Sequence, residues 1–152
     1  MSPSETPSAS PSDPFDLARF VAAQAGVHER VCKELRSGRK ATHWMWYVFP
    51  QMRGLGRSGL AWDFGISSIE EAQAYLAHQV LGPRLEETTR LVLDHAGKPL
   101  KALFGSPDDL KFRSSMTLFA QAAGPDSVYA EALERMCAGS PDQQTLELLA
   151  SS

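Results

Sequence analysis

The sequence predicts a mainly α-helical protein, folded as a compact single domain behind a disordered N-terminal tail. Its 152 residues are the usual size of one domain and can bury a hydrophobic core without disulfides or metals. Apolar residues recur at helical spacing in most segments, and several of these segments begin at residues that commonly cap helices. No alternation of apolar and polar residues is long enough to support a sheet of many strands.

The beginning of the chain differs in composition from the rest. Residues 1–12 consist mainly of Ser, Pro, Thr and Ala. Such a segment buries too little apolar surface to offset the entropy lost on ordering. We therefore expect a disordered Ser/Pro-rich tail over 1–12 and one globular domain over 13–150.

Asp13 and Pro14 mark the expected start of the first helix, because Asp can cap a helix and Pro suits its first turn. Gly38 is expected to end this helix. Its apolar positions at helical spacing are Leu17, Phe20, Val21, Val31 and Leu35.

The segment HWMWYVFPQMRGLGRSG has the most unusual composition in the chain. Its first part, residues 43–49, is here called the aromatic block, and its last part, residues 54–59, the Gly-rich turn. The aromatic block has no clear period, so it fits either a helix buried on several sides or a short strand. A short β-hairpin around residues 44–66 is compatible with either choice. The glycines favour a loop after the block, because they allow positive φ angles.

Ser68 and Glu71 have the spacing of a capping box, which starts the next helix. A further helix is expected after Gly82-Pro83, ending near Gly97. A short turn over residues 99–104 then leads to the C-terminal third of the chain.

Asp108 is expected to cap a helix whose core face carries Phe112, Met116, Phe119 and Ala123. Two last helices are expected to start at Ser127 and at Ser140-Pro141, where Gln143 completes a second capping box. Helix therefore dominates the predicted structure.

Charge and composition exclude several functional classes. With 15 basic and 18 acidic residues the formal charge is −3, so nucleic-acid binding is not expected. No apolar run reaches the roughly 20 residues of a membrane span, and no leader-like segment opens the chain, so we expect a cytoplasmic protein. Cys32 and Cys137 are expected to be reduced and buried. No metal or cofactor is expected, because the four histidines lack zinc-site spacing: His28, His43, His78 and His95.

Four segments together resemble the bacterial domain-of-unknown-function family numbered 1810, often labelled calpastatin in genomes. They are DPFDLARFVAAQ, GRKATHWMWYVFPQMRGLGRS, EAQAYLAHQVLGPRL and FGSPDDLKFRSSMTLF, and the resemblance runs from about Asp13 to Leu149. It implies a mainly helical fold. The calpastatin label implies a protease inhibitor, but inhibitors of that kind are long disordered chains, so the label does not indicate the function.

The Trp-rich block and the later KFRSSMTLF segment are also similar to the NADAR proteins, which are associated with NAD, ADP-ribose and N-glycosidic bond cleavage. That resemblance implies His43 near the chemistry and an acid that assists a cationic transition state. NADAR proteins typically carry a Glu just ahead of their His, where this chain has Ala41-Thr42. The acid must then come from elsewhere, and Asp63 is the catalytic candidate, with Glu70, Asp108 and Asp109 as further choices.

A candidate ligand-binding set follows from the residue types around the block. Trp44 or Trp46 could stack on a flat ring, and which of them faces a pocket depends on whether the block is helix or strand. Gln51, Arg53 and Arg57 surround the Gly-rich turn and could hold a phosphate or carboxylate. The KFRSS segment could join the same pocket through Lys111, Arg113, Ser114 and Ser115.

Two functions of different class remain from this reading. The first is a small-molecule pocket protein that acts on or senses a nucleotide-like or ADP-ribose-like ligand, with N-glycoside hydrolysis as its candidate reaction. The alternative is a noncatalytic protein-interaction module, because exposed aromatic residues also anchor interfaces. A closed pocket favours the first, and a flat apolar patch favours the second.

Overall fold

The computed structural model describes residues 12–151, and within them the chain forms ten helices. The prediction of a mainly helical fold is confirmed. The tail predicted for residues 1–12 lies outside the described residues, apart from Ser12. The helices are α1 (Ala18–Gln24), α2 (His28–Ser37), α3 (Met45–Val48), α4 (Gly59–Asp63), α5 (Ile69–Ala77), α6 (Leu81–Leu93), α7 (Leu100–Phe104), α8 (Asp108–Ala123), α9 (Val128–Met136) and α10 (Gln143–Ala150).

Helix α8 is the centre of the packing, since α5, α7, α9 and α10 all contact it. Helix α6 packs against α2, α5 and α9, and α1 packs against α3. The long side chains of α8 that were predicted to face the core are fully buried, namely Phe112, Met116 and Phe119. Ala123, at the end of the helix, is exposed. No helix in the described part of the chain is both long and apolar enough to cross a membrane.

Aromatic rings form much of the core. The Phe49 ring meets Phe112 edge-on at a centroid distance of 5.1 Å, and Phe104 stacks on Phe112 at 5.1 Å. Two turns further along the same face of α8, Tyr75 packs between Phe20 and Phe119 at 5.1 and 5.3 Å. Each such pair contributes about 0.5–1.5 kcal/mol beyond its buried area, so these contacts fix how α1, α3, α5 and α7 sit on α8.

Arg19 connects the start of the chain to the segment that follows α4. Its Nη2 lies 2.8 Å from Oε2 of Glu71, which is itself buried, and its guanidinium also donates to the carbonyl oxygens of Asp63 and Gly65. Glu71 accepts two further hydrogen bonds, from the amide and hydroxyl of Ser67. A buried carboxylate needs this number of donors to offset its lost hydration, so the cluster orders the α4–α5 connection.

Several helix starts are capped as the sequence predicts. The Ser68 hydroxyl accepts from the Glu71 amide at 3.1 Å, and the Ser127 hydroxyl accepts from the Ala130 amide at 3.2 Å. The capping box at Ser68 is shifted by one residue, because the Glu71 carboxylate binds the amide of Ser67. These contacts supply partners for backbone amides that have none within the helix.

The first predicted helix is two helices. Gly26, with a φ of +80°, lies between α1 and α2 and interrupts the helix, while Gly38 ends α2 at a φ of +81° as predicted. Glycine adopts this left-handed conformation without a steric cost, and for that reason it divides an otherwise continuous helical pattern. The Asp13 carboxylate accepts from the amides of Leu17 and Ala18, but the N-cap is Leu17, so the first helix begins four residues after the start predicted at Pro14.

Other boundaries differ from the prediction. Gly82 and Pro83 lie in the first turn of α6, where a missing amide costs nothing, and α6 ends at Leu93. The last helix is capped by Asp142, whose carboxylate accepts from the Thr145 amide at 2.9 Å. The start predicted at Ser140-Pro141 is therefore two residues early.

The aromatic block is helical, since α3 occupies its middle. The hairpin considered around residues 44–66 is wrong for the described chain: Met52 and Ile66 form an isolated parallel bridge, with α4 between them. The Arg53 amide donates to the Ile66 carbonyl at 2.8 Å, and the Ile66 amide donates to the Gln51 carbonyl at 2.9 Å. The Gly-rich turn thus leads into a short helix that folds back on Met52.

Candidate functional site

A buried carboxylate organises the loop that precedes the aromatic block. Glu34, on α2, accepts hydrogen bonds from the amides of Ala41 and Thr42, from the Thr42 hydroxyl and from the Trp44 indole. Burial alone would raise the pKa of Glu34, but these donors outweigh it and lower the pKa to about 2. The charged carboxylate therefore fixes the position of residues 41–44.

Trp44 is part of the core. Its side chain is 1% exposed, its Nε1 donates to Glu34 at 2.9 Å, and its ring packs against Phe49 and Phe104. A ligand would have to displace these contacts to stack on it, so of the two candidate indoles the structure leaves Trp46 open. Trp46 is half-buried, and Nζ of Lys111 lies 4.8 Å from its ring centre.

A groove of about 270 Å³ runs between the Gly-rich turn, the start of α8 and the start of α10. A smaller concavity beside it reaches Trp46, and the two share Gln51 and Lys111. The lining residues of the larger groove are Gln51, Leu55, Gly56, Pro107, Leu110, Lys111, Arg113, Ser114, Asp142 and Gln144. We call this larger space the α8 groove.

Arg113 gives the α8 groove positive charge that no acid offsets directly. Among residues 12–151 it forms no ion pair, and its buried Nε has no hydrogen-bond partner. Burial raises the pKa of the nearby Cys137 thiol, and a hydrogen bond from the Arg113 guanidinium, together with its charge, opposes that rise. A half-buried guanidinium without a carboxylate is a favourable place for an anion.

The remaining charges of the α8 groove are already partnered. Lys111 lies 3.6 Å from Asp108, which forms a closer pair with Lys40 at 2.9 Å. The Asp142 carboxylate accepts from both the amide and the hydroxyl of Thr145, at 2.9 and 2.6 Å. Lys111 therefore keeps donor capacity for a ligand, while Asp142 first serves as a helix cap.

The Gly-rich turn is packed against α4. A Cβ placed on Gly56 would lie 2.6 Å from the Cβ of Ala61, so this position admits only glycine at the observed separation. Arg53 is used in the same contact: its Nε donates to the Trp62 carbonyl at 3.0 Å, and its guanidinium lies 4.7 Å from the Trp62 ring centre. The turn thus forms one side of the α8 groove. Arg53 does not line the groove, but it contacts α4, against which the turn packs.

Comparison with known proteins identifies the family. Residues 14–149 match the protein family of unknown function DUF1810. The chain belongs to this family. It is also similar to a solved structure, the crystal structure of the conserved hypothetical protein Rv1873 from Mycobacterium tuberculosis. The two are 56% identical, the match covers 92% of this chain and 100% of that one, and the TM-score is 0.89. No curated protein matches.

These findings confirm the resemblance to family DUF1810, and neither the family nor the structural neighbour has an assigned activity. The more distant likeness to NADAR proteins stays a hypothesis, and these matches lend no support to the calpastatin label.

In this DUF1810 domain the structure brings five of the predicted ligand-binding residues to one place. The α8 groove is lined by Gln51, Lys111, Arg113 and Ser114, and the concavity beside it is lined by Trp46. The Ser114 hydroxyl donates to the carbonyl of Leu110 at 3.2 Å, so it presents a lone pair to the groove. The prediction that the aromatic block, the Gly-rich turn and KFRSS meet agrees with this arrangement.

Other candidate residues lie elsewhere in the DUF1810 domain. His43 is exposed on the loop held by Glu34, and Asp63 is exposed at the end of α4, where its backbone carbonyl binds Arg19. Arg57 is exposed and does not line the α8 groove. Ser115 is fully buried, with no hydrogen-bond partner for its hydroxyl, so it faces the core.

Five lining residues of the α8 groove were not singled out by the sequence: Leu55, Pro107, Leu110, Asp142 and Gln144. Leu110 is an exposed apolar residue on α8, while Asp142 and Gln144 come from the start of α10. Asp is a common helix cap, so the sequence did contain a signal for Asp142. The capping role was instead predicted for Ser140. Nothing in the sequence placed α10 beside the Gly-rich turn.

Proposed function

We propose that the α8 groove binds a small anionic, nucleotide-like ligand. Arg113 carries the proposal, because a half-buried guanidinium that lines a groove and has no acidic partner among residues 12–151 is suited to an anion. Lys111 lies two residues earlier on the same helix and lines the same space. Together they would contact a phosphate from two sides.

The rest of the α8 groove suits the organic part of such a ligand. Leu55 and Leu110 offer apolar surface, and the Gln51 amide can both donate and accept hydrogen bonds. The volume, about 270 Å³, is just below the usual range of roughly 300–1,000 Å³ for small-molecule sites. A mononucleotide or sugar phosphate therefore fits better than a dinucleotide, and Trp46 lies where a ring could extend from the groove.

Thermal shift and calorimetry with AMP, ADP-ribose and ribose 5-phosphate test this proposal. A ligand that binds only the folded state must raise its stability. Arg113→Gln should weaken binding by about 10-fold or more, since a hydrogen bond to a charged group contributes about 1.5–3 kcal/mol. Arg39→Gln is the matched control, because Arg39 is exposed and does not line the groove.

Lys111→Gln, with exposed Lys101→Gln as its control, should weaken binding in the same direction. If none of the three compounds binds, or if binding survives both Arg113→Gln and Lys111→Gln, the α8 groove is not the site of an anionic ligand.

The proposal is for binding, and hydrolysis of an N-glycosidic bond would be a separate step. The residues suggested for that chemistry, His43 and Asp63, are outside the groove lining, and Asp142 is the carboxylate that lines it. Chromatography of ADP-ribose and of nucleosides after incubation with the protein would detect a released base. Release that is lost in Asp142→Asn but retained in Asp63→Asn would extend the proposal to catalysis.

A noncatalytic interaction module is the second candidate, and the exposed apolar side chains favour it. Trp62 is 59% exposed, Leu60 47% and Leu110 53%. Helix α4 carries the first two and packs on Gly56, while Leu110 lines the α8 groove opposite that glycine. If these exposed apolar side chains bind a partner protein, Trp62→Ser should abolish binding of that partner without changing AMP binding. Arg113→Gln should leave binding of the partner protein intact.

A further inference from the structure

Three potential metal ligands meet where α2 crosses α6. His28 and Cys32 are one turn apart on α2, and Glu87 lies on the facing side of α6. Nε2 of His28 lies 3.0 Å from Oε1 of Glu87 and 3.5 Å from Sγ of Cys32, and the three ligand atoms all lie within 4.8 Å of one another. The sequence has no zinc motif here, because Glu87 lies far along the chain from His28 and Cys32.

These separations are close to those that a tetrahedral zinc ion requires. With bonds of about 2.3 Å to sulfur, about 2.0–2.1 Å to nitrogen and about 2.0 Å to oxygen, tetrahedral angles place nitrogen about 3.3 Å from oxygen and about 3.6 Å from sulfur. The observed 3.0 and 3.5 Å differ from those values by a few tenths of an ångström. The remaining pair, sulfur and carboxylate, has to approach, and the Glu87 side chain is 49% exposed and free to adjust.

We propose that His28, Cys32 and Glu87 form a binding site for one divalent transition-metal ion, of which Zn²⁺ fits best. A thiolate and an imidazole select Zn²⁺ over Mg²⁺ or Ca²⁺, which prefer oxygen ligands. On binding, the Cys32 thiol loses its proton to solvent and His28 ligates as the neutral imidazole. The thiolate and the Glu87 carboxylate then balance the two positive charges of the ion.

The surroundings are consistent with such a site. Arg36 approaches the second carboxylate oxygen of Glu87 only at 4.0 Å and is 61% exposed, so a metal ion displaces a weak surface contact. Three protein ligands leave a fourth position for water or an external ligand.

This site is separate from the α8 groove, because the two share no lining residue. A metal here would join α2 to α6 and stabilise the folded protein in proportion to its concentration. The proposal does not depend on the ligand proposed for the α8 groove.

Titration of the reduced protein with Co²⁺ tests the proposal, because cobalt replaces zinc in tetrahedral sites and gives a thiolate-to-metal absorption band. We expect this band to saturate at one equivalent and to disappear when Zn²⁺ is added. Cys32→Ser should abolish the band, whereas Cys137→Ser should retain it, since Cys137 is buried at the C-terminal end of α9, outside the cluster, and serves as the matched thiol control.

His28→Gln and Glu87→Gln should each weaken Zn²⁺ binding at least about tenfold, since even partners outside the ligand set cost that much in other sites. His43→Gln is the control histidine, because it is exposed and lies outside the cluster. Circular dichroism of each variant shows whether it is folded. The proposal is overturned if the wild-type protein gives no thiolate band, or if the band persists in Cys32→Ser.

Discussion

Replacement of Glu34 by Gln removes the charge that holds the loop before the aromatic block. The carboxylate accepts four hydrogen bonds, and the Trp44 indole and two backbone amides have no other acceptor as well placed. Gln keeps the size of the side chain but turns one acceptor oxygen into a donor, which faces groups that are donors themselves. We therefore expect Glu34→Gln to destabilise the folded state.

The size of the effect follows from the pKa of Glu34, which the hydrogen bonds lower from 4.5 to about 2. At about 1.4 kcal/mol per pKa unit, this difference corresponds to about 3 kcal/mol of stability. The folded pKa lies below the unfolded one, so the contribution is fully present above pH ~4.5 and is lost as the pH falls towards ~2. At pH 3, about 2 of the 3 kcal/mol should be gone.

Urea unfolding of wild type and Glu34→Gln at pH 7 and pH 3 measures both quantities. The difference in the free energy of unfolding should be about 2–3 kcal/mol at pH 7 and should shrink to about 1 kcal/mol at pH 3. Glu70→Gln, an exposed carboxylate in the first turn of α5, is the control and should change little at either pH. A Glu34→Gln difference that is equal at the two pH values would refute the assignment of a charged, hydrogen-bonded carboxylate.

Two further predictions concern backbone contacts and caps. A Cβ at Gly82 would collide with the carbonyl oxygen of Leu76, near the end of α5. Gly82→Ala should therefore lower the free energy of unfolding, measured with urea, by about 1–3 kcal/mol. An unchanged urea midpoint would contradict the close approach of α5 and α6. Ser127→Ala should cost about 1 kcal/mol because the hydroxyl caps α9, whereas Ser140→Ala should be neutral because Asp142 caps α10. Equal melting temperatures for the two serine variants would contradict this difference.

The sequence was sufficient for the helical class and for those boundaries that a single side chain decides. Ser68 and Ser127 cap their helices because a hydroxyl and an amide within one turn decide that contact locally. Gly26 could not be assigned in the same way, because a glycine inside an apolar pattern is compatible both with a continuous helix and with a break. Helices α4 and α7 are five residues each, too short for a periodic pattern to reveal.

The candidate site was predicted in part. The sequence did not show whether each side chain points into the groove or into the core. The sequence grouped the aromatic block with KFRSS, and Trp46, Gln51, Lys111 and Ser114 do meet. It could not tell that Trp44 points inward, because this depends on Glu34, ten residues earlier, offering an acceptor for the indole. Ser115 follows Ser114 on the helix and therefore points elsewhere, into the core.

The three tryptophans differ in solvent exposure, so the intrinsic fluorescence of the protein can report on three different environments. Trp44 is 1% exposed and sits in a dry environment, Trp62 is 59% exposed and hydrated, and Trp46 is half-buried beside Lys111. A dry indole emits at shorter wavelength than a hydrated one, and a water-soluble quencher reaches only the hydrated ring. When the emission of Trp62 is quenched, the remaining fluorescence comes from Trp46 and Trp44. A change in the Trp46 emission would then report ligand binding at the α8 groove, and a change in the Trp44 emission would report unfolding of the core. Neither measurement needs an attached dye.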